Sequence, residues 1–179
     1  MATNPQSPRQ AGTSADAEDL EKLRALIRGI EFGMLTTVDP TDGTLRSRPM
    51  STNGNVEFDG DLWFFTYASA HKVDEIERQP QVNVSFARPE KQNYVSLSGR
   101  AQIVTDRAKI EALWQPQLKA WFPKGTDEPD IALLKVEVEK AEYWDSPSSL
   151  VAHVYGLVKS TLTGKPADPG ENKKIDLES

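Results

Sequence analysis

Apolar and polar positions alternate along this chain in two different periods, and the change of period marks out its elements. Leu20, Leu23, Ile27 and Ile30 recur at helical spacing, Ser14 stands where a cap belongs and Gly29 marks an exit, which predicts a first helix from about Ala15 to Gly29. From Phe32 the period shortens. Phe32–Val38 reads as a strand, Thr41-Asp42-Gly43 as a turn, and Thr44 to about Ser51 as the returning strand. Leu62–Tyr67 is an aromatic run in the style of a buried strand, while Val82–Ala87 and Tyr94–Val104 alternate as half-buried strands do. A last long strand runs from about Ala132 to Tyr143 with Leu134, Val136 and Val138 on one face.

Helices interrupt this series. Ala70–Arg78 is predicted as a short helix capped by Ser69 and stopped before Pro80. Asp106–Phe122 carries Ile110, Leu113, Trp114, Leu118 and Trp121, with Pro116 expected to kink or split it. A final helix opens with Ser146 as cap and Pro147 at its first position, and Leu150, Val154, Leu157 and Thr161 form its stripe. Residues 1–15 and 164–179 lack apolar periodicity and read as a disordered lead and tail around one domain spanning 16–163. Six short strands with peripheral helices predict a mainly β fold, a small antiparallel barrel rather than a doubly wound sheet.

Composition narrows the chemistry. Twenty-one Lys and Arg against 27 Asp and Glu give a formal charge of −6, which argues against bulk binding to nucleic acid or to an anionic membrane but leaves room for a local cationic pocket. With no cysteine, disulfides, thiolate nucleophiles and thiolate metal sites are excluded. Only His71 and His153 are histidines, so no metal site is expected. The first twenty residues carry no apolar run of the kind a secretory signal needs, and the chain reads as cytoplasmic.

The chemistry-bearing stretch is Phe64–Val73, where a buried strand ends in a polar turn and a helix begins. Exposed backbone N–H groups and the positive end of the helix dipole favour an anion there. Lys72 in the first helical turn opposes that dipole unless an anion sits opposite it, although a merely solvated lysine is the simpler reading. Arg46 and Arg48 share one face of a strand and repel unless a carboxylate or phosphate lies between them. Trp63 and Trp114 read as core, whereas Trp144 ends a strand just before a helix cap, where barrel rims place ligand contacts. There is no Ser-His-Asp arrangement, P-loop or dinucleotide fingerprint.

Taken in order, Arg48-Pro49-Met50, then Phe65-Thr66 with Ser69 and His71-Lys72, then Leu113-Trp114 with Trp121-Phe122-Pro123-Lys124-Gly125, then Glu142–Pro147 resemble the general stress branch of the pyridoxamine phosphate oxidase-like flavoproteins. The resemblance runs from about Asp19 to Gly164. It implies a six-stranded antiparallel split barrel, a homodimer, and FMN (or FAD or another flavin-like cofactor) held between subunits. By position, Arg48 and Lys72 resemble the family's phosphate ligands, and Thr66 and Ser69 its hydroxyl donors. His71 stands where the oxidases often carry an arginine. Tyr94 takes the place of a glutamine facing the flavin from the partner strand, and Trp144 resembles the tryptophan that closes over the cofactor. Pro49, Met50 and Phe65 complete the expected cofactor contacts.

One departure bears on activity. Where the true oxidases carry Arg-x-His after that tryptophan, this chain reads Leu150-Val151-Ala152, which cannot grip a phosphate, so pyridoxamine phosphate oxidase activity is not expected. Two functions then compete: a flavin-dependent oxidoreductase working with a small donor and acceptor, and a non-catalytic flavin-binding protein for storage or sensing. A deazaflavin or haem in place of FMN is a variant of the first. A purely structural role is the plainest alternative.

Overall fold

The computed structural model describes residues 13–14, 17–52, 58–145 and 170–177. Strands and helices run in the order β1 (Thr13–Ser14), α1 (Ala17–Ile27), β2 (Phe32–Val38), β3 (Leu45–Ser51), β4 (Asp61–Tyr67), α2 (His71–Arg78), β5 (Gln81–Arg88), β6 (Asn93–Val104), α3 (Arg107–Leu113), β7 (Ile131–Asp145) and β8 (Glu171–Asp176). The sheet order is β1-β8-β7-β6-β5-β2-β3, with β4 paired to β7, and every pairing except β1 with β8 is antiparallel.

The long strand β7 organises this curled half-barrel. One of its edges follows β6 throughout, while the other is shared, residues 131–137 with β4 and residues 140–145 with β8. A bulge on β7, where Glu139 is the extra residue between Val138 and Lys140 opposite Gly99 and Ser98 of β6, bends the sheet where the shared edge changes partner. Only glycine fits there, because a Cβ on Gly99 would fall 1.9 Å from the carbonyl oxygen of Glu137.

Alternation along the strands places a core on each side of the sheet. The inner core gathers Leu35, Leu62, Phe64, Val84, Phe86, Leu97, Val136 and Tyr143 under Leu23, Leu26 and Ile27 of α1. The outer one is local: Ile110, Leu118, Phe122, Ile131 and Leu133 pack with Trp63, Phe65 and Trp114. The expected split of the 106–122 helix is present. Asp106 caps α3 by accepting from the Lys109 N–H, Trp114 turns extended two residues before Pro116, and the chain resumes as a 3₁₀ helix over Pro116–Ala120.

Strands β2 to β7 lie where the apolar pattern puts them. Three local expectations need correction. Ala70, not Ser69, is the N-cap of α2, and no side chain caps it, because the Ser69 hydroxyl is turned to Asp130. Ser14 belongs to β1, and α1 begins three residues later, at Ala17. The segment 164–179 is not structureless throughout, since Glu171–Asp176 adds a strand to β7, and β1 in the lead pairs with it. That strand has little local signal: its one buried apolar side chain is Ile175, and the free edge of β7 supplies the rest. Lys173 pairs with Asp19, and the Tyr143 hydroxyl donates to Glu171 at 2.6 Å, tying the strand to α1 and β7. The predicted final helix, with Leu150-Val151-Ala152, lies outside the described residues.

Candidate functional site

Where β2, β3 and α2 meet, cations and carboxylates collect on the inner side of the sheet. Thr37 and Arg46, and Leu35 and Arg48, are cross-strand partners, so both arginines share the face onto which α2 packs. The sequence asks what separates the two guanidiniums, and the structure answers with two carboxylates. Arg46 Nε lies 2.7 Å from Asp39, and Arg48 Nη2 lies 2.7 Å from Glu75. Glu75 is 1% exposed and also accepts from the Thr37 hydroxyl at 2.5 Å, while Arg48 Nη1 donates to the same hydroxyl at 2.8 Å. Arg48, Thr37 and Glu75 thus form a closed triangle that fixes the guanidinium's orientation.

Asp39 is equally constrained. Hydrogen bonds from the Thr41 hydroxyl and backbone N–H, with Arg46 alongside, hold its carboxyl down to about 2. A ring nitrogen of exposed His71 lies within 4.8 Å of oxygens of both Asp39 and Glu75. Both carboxylates are already engaged by arginines, so the cluster is a charge network in which a metal would have to displace a guanidinium.

Lys72 is the exception in this network. Its ammonium is half-buried, and among the described residues no carboxylate lies within ion-pair distance. Burial lowers its pKa, and the positive charge of Arg48 lowers it further, against a smaller opposing pull from Glu75. A buried cation held next to another cation has one inexpensive remedy, an anion. Lys72 also occupies the first turn of α2, where the helix dipole already favours negative charge.

The other expected residues are distributed around this point. Ser69 precedes α2 and gives both its hydroxyl and its N–H to Asp130, the latter at 3.2 Å. Thr66 is buried on the inner face of β4 with its hydroxyl donating to the Tyr67 carbonyl at 3.3 Å. Met50, two residues from Arg48 on the same face of β3, belongs to the core. Phe65 faces the opposite way, its ring 5.7 Å from Trp114 and 6.1 Å from Phe122. Pro49 is exposed on the outer face. Tyr94 and Trp144 are cross-strand partners on that outer face, 43% and 40% exposed, at the far end of the sheet from Arg48 and Lys72. One chain therefore assembles the Arg48–Lys72 cation pair with His71 beside it, and separately an aromatic pair.

Sequence reasoning missed Thr37, Asp39, Glu75 and Asp130. Glu75 had a signal: it lies between Val73 and Ile76 on the apolar side of α2 and three residues after Lys72. Asp39 heads a turn, where an aspartate is ordinary and its second role is invisible.

A family model described as pyridoxamine 5'-phosphate oxidase like matches residues 18–168. The chain belongs to that family. It is 30% identical over 166 residues to protein bli-3 of Neurospora crassa, covering 88% of this chain and 79% of that one. It is also 30% identical over 124 residues to general stress protein 26 of Bacillus subtilis, covering 66% and 83%. The solved structure of the general stress FMN/FAD binding protein from Xanthomonas citri matches with a TM-score of 0.65 at 28% identity, over 75% of this chain and 94% of that one. The half-barrel is the family's split barrel, and β8 lies beyond the matched span. No described helix is long and apolar enough to cross a membrane.

Proposed function

We propose that this protein is a cytoplasmic homodimeric flavoprotein that binds FMN between its two copies and acts as a flavin-dependent oxidoreductase. The observation that carries the reading is Lys72, a half-buried ammonium next to Arg48 with no carboxylate within ion-pair distance among the described residues. A phosphate monoester fits this donor set. It accepts from both cations and removes the cost of keeping Lys72 charged inside the protein. A flavin, when bound, supplies hydride and electron transfer, and the protein's part is to position and polarise it.

In this reading each of the chain's residues has a distinct task. Lys72 and Arg48 hold the phosphate, Glu75 and Thr37 keep Arg48 aimed, and His71 adds a further donor at the rim. Tyr94 and Trp144 lie on the opposite face of the sheet from Arg48 and Lys72, so in this reading a second copy brings its aromatic pair to the site. The name of the Xanthomonas citri relative supports a flavin, with FAD as the alternative to FMN.

Titration of the flavin-free protein with FMN tests the reading. Lys72→Ala weakens binding by about 10- to 100-fold, the cost of a charge-assisted contact, with the fold intact. Unchanged affinity removes Lys72 from the site. A non-catalytic flavin carrier is the second reading, favoured by Leu150-Val151-Ala152 in place of the oxidases' Arg-x-His. Steady oxidation of reduced nicotinamide by the flavin-loaded protein with an added acceptor excludes it.

A further inference from the structure

The charges around Lys72 fall short of what a phosphate monoester brings. Arg46 stands 2.7 Å from Asp39 and Arg48 2.7 Å from Glu75, so each guanidinium comes with its own carboxylate. What these two pairs leave uncompensated is the single charge of Lys72. A phosphate monoester carries close to two negative charges at neutral pH, so one cation is missing.

His71 is the group placed to supply it. It opens α2 beside Lys72, and no side chain caps this helix. Among the described residues no acceptor takes the backbone N–H of His71 or Lys72, so an anion that meets one at the helix start meets the other. The imidazole is exposed, and one ring nitrogen lies within 4.8 Å of carboxylate oxygens of Asp39 and Glu75. The charged groups around it are those two carboxylates, the Arg46 and Arg48 paired with them, Lys72 and Asp74 on its own helix, and Asp130, which holds Ser69 two residues upstream. The inward positions of β6 on this side, Leu97, Gly99 and Ala101, carry no charge. The carboxylates favour an imidazolium while the guanidiniums and Lys72 oppose it, and a dianion arriving beside Lys72 tips that balance. An arginine at this position would stay charged throughout, whereas an imidazole changes charge near neutral pH.

We infer, on the reading of the site given above, that His71 takes up a proton when a phosphate monoester binds at Lys72 and Arg48, which makes retention of the ligand pH-dependent. The complex then holds more protons than its separate partners, and by linkage its affinity rises as pH falls.

The test titrates the flavin-free full chain with FMN and with riboflavin, which lacks the phosphate, at about pH 6.5 and about pH 8, a range in which a phosphate monoester stays mostly doubly charged. FMN is expected to bind about 3- to 5-fold more tightly at the lower pH, while riboflavin binding does not change. The phosphate's own protonation works the other way. His71→Arg holds the tight affinity at both pH values and His71→Gln the weak one, and the exposed position lets both variants fold. The binding heat of FMN in buffers of different ionisation enthalpy reads the proton uptake directly, and His71→Gln removes it. FMN affinity that does not rise at the lower pH, or a rise that persists in His71→Gln and so belongs to Lys72, overturns the inference. If Lys72→Ala leaves FMN affinity unchanged, the phosphate site itself fails. If Lys72→Ala weakens FMN while His71→Gln keeps the native pH dependence, only the proton uptake at His71 fails.

Discussion

At the scale of single residues, this protein keeps an unfavourable charge in a half-buried place. Lys72 has its pKa pushed below 10.5 by burial and by Arg48. A lysine depressed in this way binds fewer protons folded than unfolded, so its charge costs stability below the lowered pKa, and the cost fades as pH rises towards 10.5. Replacing it with an uncharged chain of similar length, Lys72→Met, is expected to raise stability in the absence of phosphate by up to about 1 kcal/mol, reduced by partial exposure. Denaturant midpoints at neutral pH check this, and FMN affinity should fall in the same variant. Asp39 works with the opposite sign. Its carboxyl is held down to about 2, so its contribution is complete above the ordinary carboxylate range near 3.8 and disappears as pH falls through about 2. Asp39→Asn should therefore flatten the acid limb of the stability curve in that window while leaving its alkaline side unchanged. Acid titration followed by tryptophan fluorescence measures the difference.

Elements are decided by which partners are within reach. The short α2 has no side-chain cap, and its register is set by Val73, Glu75 and Ile76 turning inward. Glu75 is tolerated inside because Arg48 and Thr37 meet it there. The bulge at Glu139 of β7 is a second such decision. Without it, β6 would keep one straight register against β7 past the point where β7 exchanges β8 for β4. Gly99→Ala drives a methyl into the Glu137 carbonyl and should cost about 3 kcal/mol or more by overpacking, read as a shift in denaturant midpoint at unchanged slope. A normal midpoint would show that β6 can shift its register locally.

For the whole molecule, the unfinished surface is the outer face of the sheet. Phe32, Met34, Leu45, Tyr94 and Trp144 stand exposed there, an apolar set of the kind that marks an interface. The proposed homodimer would cover this face and bury the exposed rings of Tyr94 and Trp144. Met34→Asp places a charge in the middle of that face and should shift the protein from dimer to monomer in sedimentation velocity, with FMN affinity falling alongside. A dimer that survives this change, or a monomeric parent protein, places the interface elsewhere.

Much of the fold was legible in the chain because it is written in short-range periodicity. Period-two alternation located β2 to β7, Pro116 located the break after α3, and the order of small motifs pointed to the family. Lys72 could be singled out because a cation at a helix start contradicts the dipole in purely local terms. What lay beyond reach was every feature whose partner is distant in sequence. Ser69 is a good cap by composition, yet Asp130, sixty-one positions away, takes its hydroxyl. Arg46 and Arg48 look like an unpaired repulsion until folding brings in Asp39 and Glu75. Glu171–Asp176 has the composition of a solvated tail and becomes a strand because β7 leaves an edge open beside it. Local sequence determined which segments extend or coil and where a cation needs an anion. The tertiary structure alone decided which charges are already paired: Arg46 and Arg48 meet carboxylates, and among the described residues none lies within ion-pair distance of Lys72.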